Sequence, residues 1–205
     1  MLQISAFEQT KLESAPFEHV VVKDFIGIDA IREINRDYPE IHDPKNFPVD
    51  ELSFGPGFEQ FLSELKSDEV REAVGQKFGV DLTGKPVQIT VRRLCEANDG
   101  KIHTDSRTKI ISALVYFNEE WSHEGGQLWL LRSDSDMEDY AVEVPPKAGT
   151  LLAFRRCDHS YHGHKSFDGE RRMVQISWVE PKRVANYKGK RSKIKWRIKR
   201  FFGMD

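Results

Sequence analysis

The sequence lacks the features that mark disulfide-rich, membrane-spanning and nucleic-acid-binding proteins. Its 205 residues include only two cysteines, Cys95 and Cys157, which are too few for a disulfide framework and do not form a CxxC metal pair. No run approaches the roughly 18 uninterrupted apolar residues of a membrane-spanning helix. The first residues carry neither a basic region nor a continuous apolar segment, so no signal peptide is predicted. We therefore expect a protein of the reducing cytoplasm.

A strong charge of either sign is also missing. The 31 basic and 33 acidic side chains leave a formal net charge of −2, which predicts no general affinity for nucleic acid or membranes. The tail is the exception, because residues 182–200 contain ten Lys or Arg and no Asp or Glu. A helix over residues 190–202 would place Ile194, Ile198 and Phe201 on one face. The segment is expected to contact a membrane surface or an anionic partner, to dock on its own domain, or to form a frayed tail.

The first part of the chain is patterned mainly for helices. Residues 17–25 resemble a strand, and apolar spacing predicts helices over 29–38, 58–65 and 68–78. Ser67 is the expected N-cap of the last helix. Residues 42–57, rich in Pro, Asp and Gly, are predicted to form a loop.

Residues from 86 onward are patterned for strands. Six short β-branched or alternating segments are separated by turn signals, and they cover residues 87–91, 110–117, 127–131, 140–144, 150–154 and 173–179. Regularly spaced short strands favour a sandwich or barrel. We predict a single, mainly β domain with flanking α-helices: a strand and supporting helices over 1–85, the β core over 86–181, and the basic tail over 182–205.

His103 and Asp105 form the most informative local pattern. On an extended strand, residues two apart point to the same side, so the imidazole and the carboxylate can reach one ion. A second histidine would complete the ligand set of non-haem Fe(II) oxygenases. Three candidates lie in one downstream segment, at His159, His162 and His164.

The order of motifs resembles a known family. Residues 87–179 are similar to the double-stranded β-helix, or jelly-roll, core of the 2-oxoglutarate and Fe(II)-dependent oxygenases, and most similar to the prolyl 4-hydroxylase-like branch. The matching positions are His103-Thr104-Asp105, Leu114 to Asn118, Trp121, Gly125 to Leu128, Pro145, Pro146, Gly149, Phe154, His162, Gly169, Arg172 and Trp178. Together they cover nearly half of the chain.

The resemblance implies an iron site and a cosubstrate site. His103, Asp105 and a distal histidine would hold Fe(II), and His162 has the family's spacing to the basic residue that follows. That basic residue would bind the far carboxylate of 2-oxoglutarate. Arg172 is preferred over Arg171 because it precedes Trp178 by six residues and shares strand parity with apolar residues expected to line the barrel. Leu94 stands where the family often has an aromatic residue, so Ser112 and Tyr116 are the candidates for a second contact.

The implied activity is that of a dioxygenase. It uses O2, converts 2-oxoglutarate to succinate and carbon dioxide, and hydroxylates an unactivated C–H bond of a prolyl, peptidyl or small-molecule substrate, with ascorbate as a candidate reductant. Two alternatives stay open: a jelly-roll protein that binds metal and 2-oxoglutarate as a sensor, and a cupin-type metal hydrolase or epimerase. The sequence names neither a substrate nor an oligomeric state.

Overall fold

The structure is a computed structural model that describes residues 1–181, so the predicted basic helix of the tail lies outside the described residues. The first part of the chain is mostly helical. Its elements are α1 (Ile4–Gln9), β1 (His19–Val22), α2 (Ile28–Arg36), β2 (Phe47–Pro48), a 3-10 turn (Val49–Glu51), α3 (Pro56–Leu65) and α4 (Asp68–Phe78). Strands follow: β3 (Val87–Cys95), β4 (Lys109–Tyr116), β5 (Leu128–Leu131), β6 (Tyr140–Val144), β7 (Leu151–Arg155), β8 (His162–Gly163) and β9 (Gly169–Val179).

The strands form two antiparallel sheets. The larger sheet has six strands in the order β1-β7-β4-β9-β3-β2, and the smaller has three in the order β6-β5-β8. Strands β2 and β3, and strands β5 and β6, are consecutive neighbours, whereas the other pairs join strands distant in sequence, as when β1 pairs with β7 and β3 pairs with β9. This arrangement is the predicted jelly roll, with a mainly β core and flanking helices.

Both faces of the six-stranded sheet are buried, and each is covered by a different layer. On β4, Val115 packs in the cluster that contains the helices, whereas Leu114 packs in the cluster shared with the smaller sheet. On β9, Val174 likewise packs in the cluster that contains the helices, and Met173 packs in the cluster shared with the smaller sheet. Alternate side chains of a strand point to opposite faces, so each central strand contributes to two hydrophobic cores.

Most of the predicted elements are confirmed, and the exceptions are short. The predicted bounds of α4 and β6 match the structure, and the strand expected over 17–25 is present as β1. The predicted loop over 42–57 contains the two-residue strand β2 and the start of α3. The helix α1 and the strand β8 were not predicted. Within residues 1–181, no helix has both the length and the apolar character needed to cross a membrane.

Ser67 caps α4 as predicted, since its side chain accepts a hydrogen bond from the backbone N–H of Val70. We expect Ser67→Ala to lower the free energy of unfolding by about 1 kcal/mol, because one N–H of the first turn loses its partner. Chemical denaturation would measure this change. Ser63→Ala is the matched control, since Ser63 is an exposed residue inside α3, where alanine favours the helix. Equal stability of the two variants would contradict the capping role.

Candidate metal centre

Two of the predicted ligands are held opposite each other by the backbone. His103 and His162 form an isolated antiparallel bridge and exchange both N–H···O=C hydrogen bonds, each with an N···O distance of 3.0 Å. The segment that carries His103 therefore continues the smaller sheet beyond β8. Residues paired in this way present their side chains on the same face. The two imidazole rings accordingly have centroids 4.4 Å apart.

Asp105 completes the cluster. One ligand atom from each of His103, Asp105 and His162 can be chosen so that all three lie within 4.8 Å of one another. His162 and Asp105 are buried, whereas His103 is exposed and lines the cleft. Of the two rival histidines, His159 is exposed and His164 is buried further along the cleft wall. Within residues 1–181, the structure thus groups the three residues selected from the sequence.

Hydrogen bonds fix which nitrogen of each histidine is free. The Nδ1 atom of His103 lies 2.8 Å from the carbonyl oxygen of Lys101, and that of His162 lies 2.9 Å from the carbonyl oxygen of Ser160. A carbonyl only accepts, so each Nδ1 carries the proton and each Nε2 presents a lone pair. This pattern, with one ring nitrogen donating to a backbone carbonyl, is typical of histidines that bind metals.

The protonation states also suit a cation. Burial, followed by the nearby charge of His103, lowers the pKa of His162 to about 4, so its ring is neutral at neutral pH. Burial opposes the charged form of Asp105, but Lys109, His162 and the hydroxyl of Ser112 outweigh it and hold the pKa below its usual value. The neutral imidazole of His162 and the carboxylate of Asp105 are therefore available at neutral pH.

Arg171 lies on the same cleft as the triad. Its side chain is 3% exposed, and its Nε donates to the carbonyl oxygen of Gly126 at 2.7 Å. Its Nη2 lies 3.4 Å from the hydroxyl of Tyr116, and its guanidinium carbon lies 5.2 Å from the centre of that ring. Within the described residues, Arg171 forms no ion pair with a carboxylate. A buried cation with only neutral partners is costly, so this group favours an anionic ligand.

Arg172 lies on the opposite face of β9. Its Nη1 donates to Asn35 at 3.2 Å, its Nε lies 2.7 Å from a carboxylate oxygen of Glu170, and its guanidinium covers the ring of Tyr38. The expectation that Arg172 faces the interior is wrong. The apolar residues on the same face of β9 as Arg172, such as Val174, pack against the helices and not against the smaller sheet. The structure brings Arg171 to the triad instead.

Comparison with known proteins identifies the β core. Residues 89–180 match the family model of the 2OG-Fe(II) oxygenase superfamily. The β core therefore matches the 2OG-Fe(II) oxygenase superfamily. The matched segment begins in β3, ends just after β9 and contains all three residues of the triad together with Arg171.

Solved structures with the same fold are also found. A prolyl-4-hydroxylase from Pseudomonas putida is 20% identical, with a TM-score of 0.55 over 86% of this chain and 93% of its own. A 2OG-Fe(II) oxygenase family protein from Burkholderia pseudomallei is 14% identical, with a TM-score of 0.56 over 86% and 89%. A prolyl 4-hydroxylase from Phytophthora capsici is 15% identical, with a TM-score of 0.57 over 88% and 63%. These likenesses concern the fold, and no curated protein matches the chain.

The cleft that contains the triad has both polar and apolar lining residues. Its volume is about 420 Å³, and its lining includes the triad, Lys109, Leu114, Leu128, His164, Arg171, Met173 and Gln175. Gly100 shapes one wall of the cleft. Its φ is +86°, and a side chain there would collide with His164, whose backbone N–H donates to the Gly100 carbonyl. Only glycine fits this close approach.

His164 faces the cleft, as its parity with His162 predicts. Its Nδ1 lies 2.8 Å from the carbonyl oxygen of Lys165, so its Nε2 carries the lone pair. Burial, together with the charge of Arg171, lowers the pKa of His164 to about 4. A neutral hydrogen-bond acceptor therefore stands beside the buried arginine.

Sequence reasoning left the partners of the triad and of Arg171 unassigned. The structure shows that Ser112 contacts Asp105, at 2.5 Å, and that Tyr116 contacts Arg171. Both residues lie on β4 with even numbers, the parity that also places Leu114 towards the smaller sheet. The alternation along β4 was therefore an available signal, but it required knowing which face is the interior.

Proposed function

We propose that this chain is a 2-oxoglutarate- and Fe(II)-dependent oxygenase that hydroxylates an unactivated C–H bond and releases succinate and carbon dioxide. One observation carries the proposal: the His103, Asp105 and His162 cluster shares its cleft with Arg171, a buried cation that lacks a carboxylate partner among the described residues. The match to the 2OG-Fe(II) oxygenase superfamily supports the interpretation of the triad as an iron site and of Arg171 as a cosubstrate site.

The three clustered residues are the proposed iron ligands. Two imidazole nitrogens and one carboxylate form a set that suits Fe(II) and leaves coordination positions open for cosubstrate and dioxygen. When bound, the iron and its cosubstrate supply the oxidising chemistry for the C–H bond. The chain supplies the orientation, because the bridge between His103 and His162 and the tautomers set by their Nδ1 hydrogen bonds fix both rings.

Arg171 is the proposed anchor for the far carboxylate of 2-oxoglutarate, in place of Arg172. Its planar guanidinium can pair with a carboxylate in a bidentate geometry. The hydroxyl of Tyr116 is the proposed second contact. Burial raises the pKa of Tyr116, so the hydroxyl keeps its proton and remains a donor at neutral pH. The apolar side chains of Leu114, Leu128 and Met173 in the same cleft exclude water around the reacting groups.

The substrate is proposed only as a class. Two of the similar structures are named prolyl 4-hydroxylases, and the open cleft, with its polar and apolar lining, admits either a peptidyl side chain or a small polar molecule. Ascorbate is included as the proposed reductant that keeps the iron in its ferrous state.

Succinate release tests the proposal directly. The purified protein is incubated with Fe(II), 2-oxoglutarate, ascorbate and air, and succinate is measured with and without a peptide and metabolite panel. We expect slow succinate formation without substrate, faster formation with the matching substrate, and none after removal of the metal by a chelator. Binding of metal and 2-oxoglutarate without succinate under any condition would instead support the sensor alternative. Absence of both binding and turnover would contradict an oxygenase of either kind.

A further inference from the structure

Both oxygens of the Asp105 carboxylate are held by donors. The hydroxyl of Ser112 donates to Oδ2 at 2.5 Å, and the ammonium of Lys109 lies 2.8 Å from Oδ1. The backbone carbonyl of Asp105 also accepts a hydrogen bond from Nε of Arg156 at 3.2 Å. The carboxylate is therefore fixed in rotation, while each oxygen keeps a second lone pair.

Ser112 is placed for this contact by the sheet. It lies within β4, is fully buried and is paired across the strands with Ser177 of β9. The two hydroxyl oxygens are 3.4 Å apart. Among the described residues, the Asp105 side chain accepts hydrogen bonds from Ser112 and Lys109 and not from Ser177.

The single proton of Ser112 decides which contact it makes. A serine hydroxyl has one hydrogen to donate, and the short distance assigns that hydrogen to Asp105. The same hydroxyl cannot also donate to the far carboxylate of 2-oxoglutarate. This separates Ser112 from Tyr116, whose hydroxyl contacts Arg171.

We propose that Ser112 is a positioning residue of the metal centre, which holds the Asp105 carboxylate so that one oxygen lone pair is aimed at the ion. The inference rests on the proposed function in one respect, since it takes Asp105 as a ligand. Groups that hydrogen-bond to a ligand act by orienting it, and their loss typically costs about 10- to 100-fold in metal affinity or activity. Ser112 would therefore act on the metal through Asp105 without touching either substrate.

Metal affinity of the chelator-treated protein tests the proposal without any turnover. Co(II), whose visible absorption reports both occupancy and coordination geometry, is titrated into the wild type, Ser112→Ala and Ser177→Ala. We expect Ser112→Ala to bind Co(II) about 10- to 100-fold more weakly and with an altered spectrum. Ser177→Ala is the matched control, because it removes an equally buried hydroxyl that does not reach Asp105. It is expected to bind like the wild type.

Two results would overturn the role of Ser112: wild-type affinity and spectrum in Ser112→Ala, or equal weakening in Ser177→Ala. Thermal unfolding of the metal-free variants shows whether each remains folded, and removal of one small hydroxyl is expected to leave both folded. If the proposed function itself were wrong, the result would be distinguishable, because the wild type would then bind no Co(II) at this site. A wild type that binds Co(II) and releases succinate, beside an unchanged Ser112→Ala, would reject this inference alone.

Discussion

His162→Ala is expected to abolish metal-dependent succinate formation, whereas His159→Ala leaves it unchanged. His162 is buried opposite His103, with its Nε2 free for an ion, and it belongs to the cluster whose ligand atoms lie within 4.8 Å. Loss of a direct ligand should cost more than loss of a residue that only orients one. We therefore expect metal affinity to fall at least about 100-fold, the upper limit for such orienting residues.

His159 is the matched control because it lies in the same segment but is exposed. Succinate formation at saturating 2-oxoglutarate and metal binding by the chelator-treated protein are the two measurements. Thermal unfolding of metal-free His162→Ala would show whether the substitution disturbs the fold itself. If His159→Ala lost activity while His162→Ala kept it, the assignment of the distal ligand would be refuted.

Arg171→Gln is expected to raise the KM for 2-oxoglutarate by about 10- to 100-fold, while Arg172→Gln leaves it unchanged. Hydrogen bonds to charged groups contribute about 1.5–3 kcal/mol each, and each 1.4 kcal/mol corresponds to about tenfold in affinity. Glutamine can still donate to the carbonyl of Gly126, so the substitution removes the charge and the bidentate geometry while keeping one structural contact.

Arg172→Gln is the matched control, because it makes the same chemical change on the opposite face of β9. Arg172 pairs with Glu170 and Asn35 on the helix-facing side of β9, so its loss should affect stability alone. Equilibrium binding of 2-oxoglutarate to the metal-loaded protein, compared with steady-state KM, separates binding from turnover. A raised KM for 2-oxoglutarate in Arg172→Gln, together with a normal KM in Arg171→Gln, would indicate that Arg172 and not Arg171 binds the far carboxylate.

Local patterns predicted the longer elements well, and the shortest elements escaped them. Helix α4 has apolar spacing, a serine cap and Gly79 at its end in the left-handed conformation, so all of its signals lie within its own sequence. Strand β8 has two residues and no periodicity. It exists because His162 and Gly163 pair with Leu130 and Trp129 of β5, more than thirty residues earlier in the chain.

The metal cluster was predictable in composition but not in geometry. The spacing of His103 and Asp105 gave two ligands on one side of an extended segment, and resemblance to a family selected His162 from three histidines. The facing of His103 and His162 depends on backbone hydrogen bonds between segments about sixty residues apart. The contact of Ser112 with Asp105 depends in turn on the placement of β4 beneath that segment.

By itself, the sequence determined that the chain carries a β core with a His-X-Asp pattern and a downstream histidine, and that Arg171 and Arg172 lie on opposite faces of one strand. Only the tertiary structure decided which of those faces is the interior. The physical reason is that β9 lies in a sheet covered on both sides, by helices on one face and by the smaller sheet on the other. The apolar alternation of Val174, Ile176 and Trp178 marks the face covered by helices, whereas the ligand cleft needs the more polar face that carries Arg171, Met173 and Gln175.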